Sequence, residues 1–369
     1  MTDKLPWLGL RSIPGVGLVL GQRLIQRFGS PAAVFQASFA ELVGLRGITA
    51  AMAQAILSFR DWGRLEEQLA RLKSAGVEMI TMDEPRFPAR LKEIPCPPFY
   101  LFIKGTLIPE DGRAVAVVGT RGASYYGLKA CRRLAGALAA RGMTVVSGLA
   151  RGIDTAAHQG ALEMDGRALA VLGCGLDVVY PPENRKLYQE IPGHGALMSE
   201  FSLGTPPEAR NFPIRNRIIS GLSLGVVVIE AGVSSGTGIT VRCAQDQNRE
   251  VFAVPGPIDS PTSLGPHRLI QDGAKLVQDV EDILQELPDL KRAPGPLFAA
   301  AAPESRVEET ASPQPEDPLL ALLGSEPVQL EELVQASALP VKDILIRLTL
   351  LELQGLVKEL PGKCYVLGN

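Results

Sequence analysis

The hydrophobic rhythm of the chain changes three times. Over the first 80 residues apolar positions recur at helical spacing between turn signals. Leu20, Leu24 and Phe28 fall at i, i+4 and i+8, Ser30-Pro31 opens a new helix, and Ser38 to Glu41 has the spacing of a capping box. A further helix after Thr49 points Met52, Ile56 and Phe59 inward. From about residue 113 short apolar runs take over, at Val115-Ala116-Val117-Val118, Thr144-Val145-Val146, Ala168 to Leu172 and Val226 to Ile229. They alternate with helix-like segments, which predicts a doubly wound parallel sheet wrapped by helices. From Leu287 to about Pro318 the chain is rich in Pro, Ala and acidic residues without apolar periodicity, as a linker would be. Periodicity returns in the last 50 residues. There Val341, Ile344, Leu345, Leu348 and Leu351 share a helical face, Gly355 is a candidate C-cap, and two short strands around Pro361-Gly362 would close a winged helix. The expectation is an α/β protein with an all-α domain at 1–80, the sheet domain at 81–287, a linker at 288–316 and a winged-helix-like domain at 317–369.

Charge adds an asymmetry. The 369 residues carry a net charge of −3, but residues 1–80 hold nine Lys/Arg against six Asp/Glu and residues 288–369 hold seven against twelve. An acidic end masks a basic beginning, so the global balance does not announce a nucleic-acid binder. No signal-peptide pattern and no run of the roughly 20 apolar residues of a membrane span occurs, so a cytoplasmic protein without membrane contact is expected. Cys96, Cys131, Cys174, Cys243 and Cys364 are odd in number and never spaced C-x-x-C, which argues for reduced thiols and against disulfides or zinc. His158, His194 and His267 show no metal-ligand spacing. Asp154 and His158, at i and i+4, read as a pair on a helix surface. No metal and no cofactor is expected.

The chemistry gathers at strand ends. The first long strand runs into Gly119-Thr120-Arg121-Gly122, and the next into Ser147-Gly148-Leu149-Ala150-Arg151-Gly152-Ile153-Asp154. In a doubly wound sheet such turns lie along the carboxyl edge, where glycine lets backbone N–H groups approach an anion and a helix start faces it. Arg121 and Arg151 inside those turns could fork onto phosphate oxygens. Tight packing is the alternative reason for glycine at each turn. Further along come Tyr180 to Lys186, Asn211 to Arg217, and Ser234-Ser235-Gly236-Thr237-Gly238. Arg, Lys and Asn mixed with Tyr180, Tyr188 and Phe212 is a composition suited to a flexible single strand, cations for its backbone and rings for its bases. A dinucleotide enzyme is the competing reading, but Gly173-Cys174-Gly175 lacks the third glycine, the second strand ends without a ribose-binding carboxylate, and no Walker A motif occurs.

Several of these segments together resemble one family. Val117-Val118-Gly119-Thr120-Arg121, Ser147 to Asp154, Ala170 to Asp177, Tyr180-Pro181 with Glu183-Asn184, Asn211-Phe212-Pro213 with Arg215 to Ile219, and Val254-Pro255-Gly256 look like the DNA-processing family DprA, also called Smf. The resemblance spans about residues 83–287. It implies an extended Rossmann domain that is not an enzyme, binds single-stranded DNA, shields incoming DNA in natural transformation, loads the recombinase RecA and forms a homodimer. Carried onto this chain, it implies a phosphate pocket at Gly119, Arg121, Ser147, Gly148 and Arg151, completed by Arg185 or Lys186, Asn216 and Ser235, Gly236 and Thr237; Asn184, Tyr188, Arg215 and Arg217 are expected as further DNA contacts. The dimer surface would fall between Leu264 and Val277, with His267, Leu269 and Ile270. A nucleotide-processing enzyme on the same sheet edge remains the alternative; its P-G-G-x-G-T loop is replaced here by Ala231-Gly232-Val233-Ser234-Ser235-Gly236-Thr237.

The flanks suggest duplex contact at most. Ile13-Pro14-Gly15-Val16-Gly17 ahead of an amphipathic helix resembles the hairpin of a helix-hairpin-helix unit, whose helix start touches a duplex phosphate. Gly44 to Ile48 departs from the G-x-G spacing, so only the first hairpin is convincing, and plain helical packing or a sterile-alpha-motif-like fold stays open. Arg23, Arg27 and Arg46 suit DNA contact. The candidate recognition helix of the winged helix offers only Lys342 and Arg347, which favours protein contact or weak duplex contact.

Overall fold

The computed structural model describes residues 4–233 and 235–287, and between 319 and 367 residues 319, 322–323, 328–337, 339–353, 356–360 and 364–367. The expected linker and the Gly355 cap lie outside the described residues. The chain forms two compact units, the larger holding the N-terminal helices and the central sheet.

Six helices open the chain: α1 (Leu5–Ser12), α2 (Leu18–Phe28), α3 (Pro31–Gln36), α4 (Phe39–Val43), α5 (Ala50–Leu57) and α6 (Trp62–Ser74). Local chemistry sets their starts. Ser30 and Thr49 accept from Ala33 and Met52 N–H, and Ser38 and Glu41 form the reciprocal capping box. The structure also reveals a repeat of 32 residues that relates 13–25 to 45–57. Val16 N–H bonds Ile13 O and Ile48 N–H bonds Leu45 O, while Gly15 and Gly47 both take positive φ, +84° and +100°. A Cβ on Gly15 would meet Met52, the third residue of α5, and one on Gly47 would approach Leu20, the third residue of α2. Each hairpin thus packs on the helix that follows the other. Gly44 to Ile48 is therefore a second hairpin, with Thr49 doing at its helix start what Gly17 does at the first.

The bundle shares a core with the sheet, since Trp7 lies 6.3 Å from Phe99 and Gly21 leaves room for the Phe99 ring. The sheet domain runs β1 (Glu78–Thr81), α7 (Ala89–Lys92), β2 (Tyr100–Gly105), β3 (Ala114–Val118), α8 (Tyr125–Ala140), β4 (Thr144–Ser147), α9 (Ile153–Glu163), β5 (Ala168–Val171), α10 (Arg185–His194), β6 (Gly195–Ser199), α11 (Asn211–Leu222), β7 (Gly225–Val228), α12 (Thr237–Asp246), β8 (Glu250–Ala253), α13 (Leu264–Gln271), β9 (Lys275–Leu276) and α14 (Val280–Leu284). Nine strands lie in the order β1-β2-β6-β5-β4-β3-β7-β8-β9. β1 and β2 pair antiparallel at one edge; from β6 to β9 every pair is parallel. Helices cover the sheet on both faces, so β3, β4, β5, β6 and β7 are buried at every residue and are mostly apolar, with Thr144, Ser147 and Ser199 the polar exceptions. From β3 the chain winds outward through β4, β5 and β6, then returns to the other side of β3 with β7. The switch point is the crevice beyond the carboxyl ends of β3 and β7, where open α/β sheets bind ligands.

The smaller unit has β10 (Val328–Gln329), α15 (Leu330–Ser337), α16 (Val341–Leu353), β11 (Val357–Leu360) and β12 (Cys364–Leu367), with the strands in the order β10-β12-β11. Ile344, Leu348 and Leu351 fill its core, but Val341 and Leu345, expected on the same face, are exposed. Among the described residues no helix is long and apolar enough to cross a membrane, and no group of His, Cys, Asp and Glu could hold a metal.

Candidate functional site

A cavity of about 400 Å³ opens at the switch point. Its walls are the end of β3 with Gly119, Thr120 and Arg121, the turn after β4 with Ala150 and Asp154, one side of α11 with Phe212, Arg215, Asn216 and Ile219, and the start of α12 from Ser235 to Thr240. The start of α12 turns its positive end to the cavity wall, with Gly238 N–H and Ile239 N–H bonded to Ser235 O and Gly236 O in the turn that opens the helix.

The turn after β4 is held from beneath. Arg215 is buried at the base, where its Nη1 donates to Gly148 O at 2.8 Å and also to Val171 O. Asn184 Nδ2 donates to Leu149 O at 2.9 Å, and Thr155 Oγ1 to Ala150 O at 2.7 Å. Three successive carbonyls are thereby drawn into the protein, which holds Leu149 at φ 55°, a conformation costly for a branched residue unless its surroundings enforce it. Gly148 is glycine because a Cβ would stand 2.4 Å from the Arg215 guanidinium; Gly119 is glycine because one would stand 2.5 Å from Ile153 Cγ1. Both glycines therefore have a packing reason, whether or not an anion binds beside them.

Burial shapes the electrostatics. The Asp154 carboxyl is pushed above its usual range by burial, against the Arg215 charge and hydrogen bonds from Ala150, Ser147 and Gly148. Burial lowers Arg215 in turn, with Asp154 opposing. His158, fully buried on α9, is pushed down to about 3 by burial and by Arg215, and neither ring nitrogen has a hydrogen-bond partner among the described residues. Asp154 and His158 are thus interior groups, not the surface pair their spacing suggested.

Above the base sits Phe212 between two cations. The Arg121 guanidinium lies 5.1 Å from its ring centre and Arg215 lies 5.8 Å away, while Tyr180 stands 5.8 Å to the side. Arg121, Arg151, Arg185 and Lys186 are exposed. Arg151 pairs with Glu183 at 2.7 Å and Lys186 with Glu190 at 3.6 Å, surface contacts weak enough for a polyanion to displace.

Several expected contact residues face inward instead. Ser147 is fully buried and donates to Val117 O. Asn184 spends its amide on the Leu149 turn. The Tyr188 ring is buried with its hydroxyl on Leu176 O, so it presents no face for stacking. Arg217 is enclosed in an ion pair with Glu200 at 2.6 Å, both side chains being mostly buried. Arg215 reaches the cavity only as its charged base. The structure gathers Gly119, Arg121, Arg215, Asn216, Ser235, Gly236 and Thr237 around the cavity, and sets Arg151, Arg185 and Lys186 outside its lining. Phe212, one of three aromatic rings singled out in the sequence and part of the Asn211-Phe212-Pro213 segment that resembles the family, is the side chain that arginines bracket, three residues before Arg215 on α11.

Around α13, Leu264 is 45 % exposed and Leu269 and Ile270 are half-buried, while His267 hydrogen-bonds Gly256 O at 3.0 Å and pins that loop. Val277 is completely buried in the domain core, so it is not a surface residue at all.

The family described as DNA recombination-mediator protein A matches residues 78–288, a SAM-like helix-hairpin-helix tandem matches 8–60, and the DprA winged helix domain matches 300–363. Protein Smf of Escherichia coli K12 is 42% identical over 322 residues, which cover 86% of this chain and 84% of that protein. The X-ray structure of DNA processing protein A from Streptococcus pneumoniae superposes with a TM-score of 0.66 at 34% identity, over 78% of this chain and 98% of that one. DNA processing protein A from Helicobacter pylori, a protein with a described single-stranded DNA binding mode, gives a TM-score of 0.52 at 29% identity over 57% of this chain and 96% of that one. The chain belongs to the DNA recombination-mediator protein A family, the DprA/Smf proteins.

Proposed function

We propose that the protein binds single-stranded DNA without sequence preference along the carboxyl edge of its sheet. The observation that carries this reading is the cavity at the switch point, with Arg121 laid over Phe212 and the charge of Arg215 beneath it. An exposed cation, a stacking ring and a helix start suit a phosphate and its base together, and none of them reads a base edge. Family membership supports the wider role: shielding incoming DNA in natural transformation, handing it to RecA, and acting in the cytoplasm as a homodimer joined through α13 without chemistry of its own. The paired hairpins of the N-terminal bundle extend the reading to duplex DNA.

Fluorescence anisotropy of a labelled homopolymeric strand tests it. Arg121→Ala/Arg151→Ala, at two exposed positions, is expected to weaken binding by about a hundredfold or more while circular dichroism stays unchanged. Unaltered affinity in the folded variant would move the DNA site elsewhere. The nucleotide-processing alternative draws on the same cavity, whose described lining holds one carboxylate, Asp154, already engaged by the turn it anchors. Release of ribose 5-phosphate from nucleoside monophosphates is the result that would support that alternative.

A further inference from the structure

We propose that the cleft between α6 and the loop after β6 is a second phosphate subsite, which takes the backbone of the same DNA strand where it leaves the central cavity; this rests on the DNA-binding reading above. The cleft measures about 290 Å³ and is lined by Arg64, Glu67, Gln68 and Arg71 with Ser202 and Leu203. Spacings of three and four residues put those four α6 side chains on one stripe, while Leu65 and Leu72 on the other stripe are buried. Gln68 Nε2 donates to Ser202 Oγ at 2.9 Å and fixes the helix to the loop. Arg64 and Arg71 are exposed, and neither is in an ion pair among the described residues, whereas Arg86, Arg132 and Arg141 at other surfaces are paired.

The cleft lies along the same edge of the sheet as the central cavity, with which it shares no lining residue. β6 runs parallel to β5, so the loop that follows it lies on the same carboxyl edge. Between them the chain packs Phe212 over the buried Gly173 and sets the buried Gly175 against the Ser202 carbonyl, so a strand passing over this segment has a path from Arg121 to Gln68 and its flanking arginines. Three strand spacings separate β3 from β6, roughly 14 Å, a span of a few nucleotides. Two unpaired guanidiniums at the end of that path suit successive phosphodiesters, and Glu67 between them moderates the attraction.

The test uses the full chain and labelled oligothymidylates of about three and about twenty nucleotides, the shorter too short to reach from the central cavity to the cleft. Arg64→Gln/Arg71→Gln is expected to weaken the long strand roughly tenfold and to reduce its salt slope by about 1.4, two single-strand contacts of about 0.7 each, with the short strand within about twofold of wild type. Glu67→Gln is expected to shift long-strand affinity the other way, a sign that a merely structural role for the stripe would not produce. Long-strand affinity and slope unchanged in the double variant, or equal weakening at both lengths, would overturn the subsite while leaving the central site standing. Failure of the wild-type chain to bind the short strand would overturn the central reading and this subsite with it.

Discussion

Arg215 is a cation around which the chain has folded. It occupies the interior because it supplies donors to Gly148 and Val171 carbonyls that would otherwise be buried unpaired, at about 1–3 kcal/mol each. The same interior holds His158 neutral. Its folded pKa of about 3 lies below the ordinary histidine value of 6.5, so between these pH values the unfolded chain binds a proton that the folded chain does not. Stability contributed by His158 therefore falls as pH drops through that window, by about 1.4 kcal/mol per unit. His158→Leu is expected to flatten the melting temperature between pH 7 and pH 5, measured by circular dichroism; an equally steep decline in the variant would count against this origin. Asp154, whose folded pKa is raised, contributes with the opposite sign, stabilising at low pH and less as pH rises. At this scale the sequence was half legible. Arg121 and Arg151 stood out because they sit in glycine-rich strand ends, whereas helical period alone would have turned Arg215 inward, four residues after Asn211 and four before Ile219. The inward placement of Tyr188, Asn184 and Arg217 is not legible in the sequence, because the acceptors and ion partner they meet, Leu176, Leu149 and Glu200, are set by folding and not by neighbours in sequence.

At the scale of elements, backbone geometry was read best where glycine and capping residues punctuate it. Ser30, Ser38 and Thr49 start helices where expected. The second hairpin was discounted on its missing G-x-G, yet Thr49 replaces the second glycine without changing the turn, because the position needs an extended backbone and not a positive φ. The positive φ belongs to Gly47, as it does to Gly15. In the smaller unit, α16 exposes Val341, Leu345, Ile346 and Leu350 and carries few cations, a surface ill suited to a phosphate backbone. Lys342→Gln/Arg347→Gln is accordingly expected to leave single-strand affinity within about twofold in anisotropy. A tenfold loss would give α16 a direct part in DNA binding.

The whole molecule is organised by one sheet. Its parallel centre is evident from apolar runs at β3, β4, β5 and β7, but β1 and β9 are short edge strands and β2 joins the sheet through antiparallel pairing with β6, about 95 residues along the chain, none of which a local pattern announces. The expected dimer surface divides in the same way: Leu264 is exposed and Ile270 half-buried, whereas Val277 closes the core. Leu264→Asp/Ile270→Asp is expected to convert a dimer to a monomer in light scattering without lowering the melting temperature. A wild-type monomer, or a variant that stays dimeric, would remove α13 from the interface. If DNA lies along the carboxyl edge at the switch point, amide hydrogen exchange with and without a saturating oligothymidylate will report it at the backbone that the strand covers. Slowed exchange is expected at 119–122, 148–152 and 235–238; slowing confined to the hairpins at 13–20 and 45–52, or to α16, with none at those three turns, would place the DNA elsewhere.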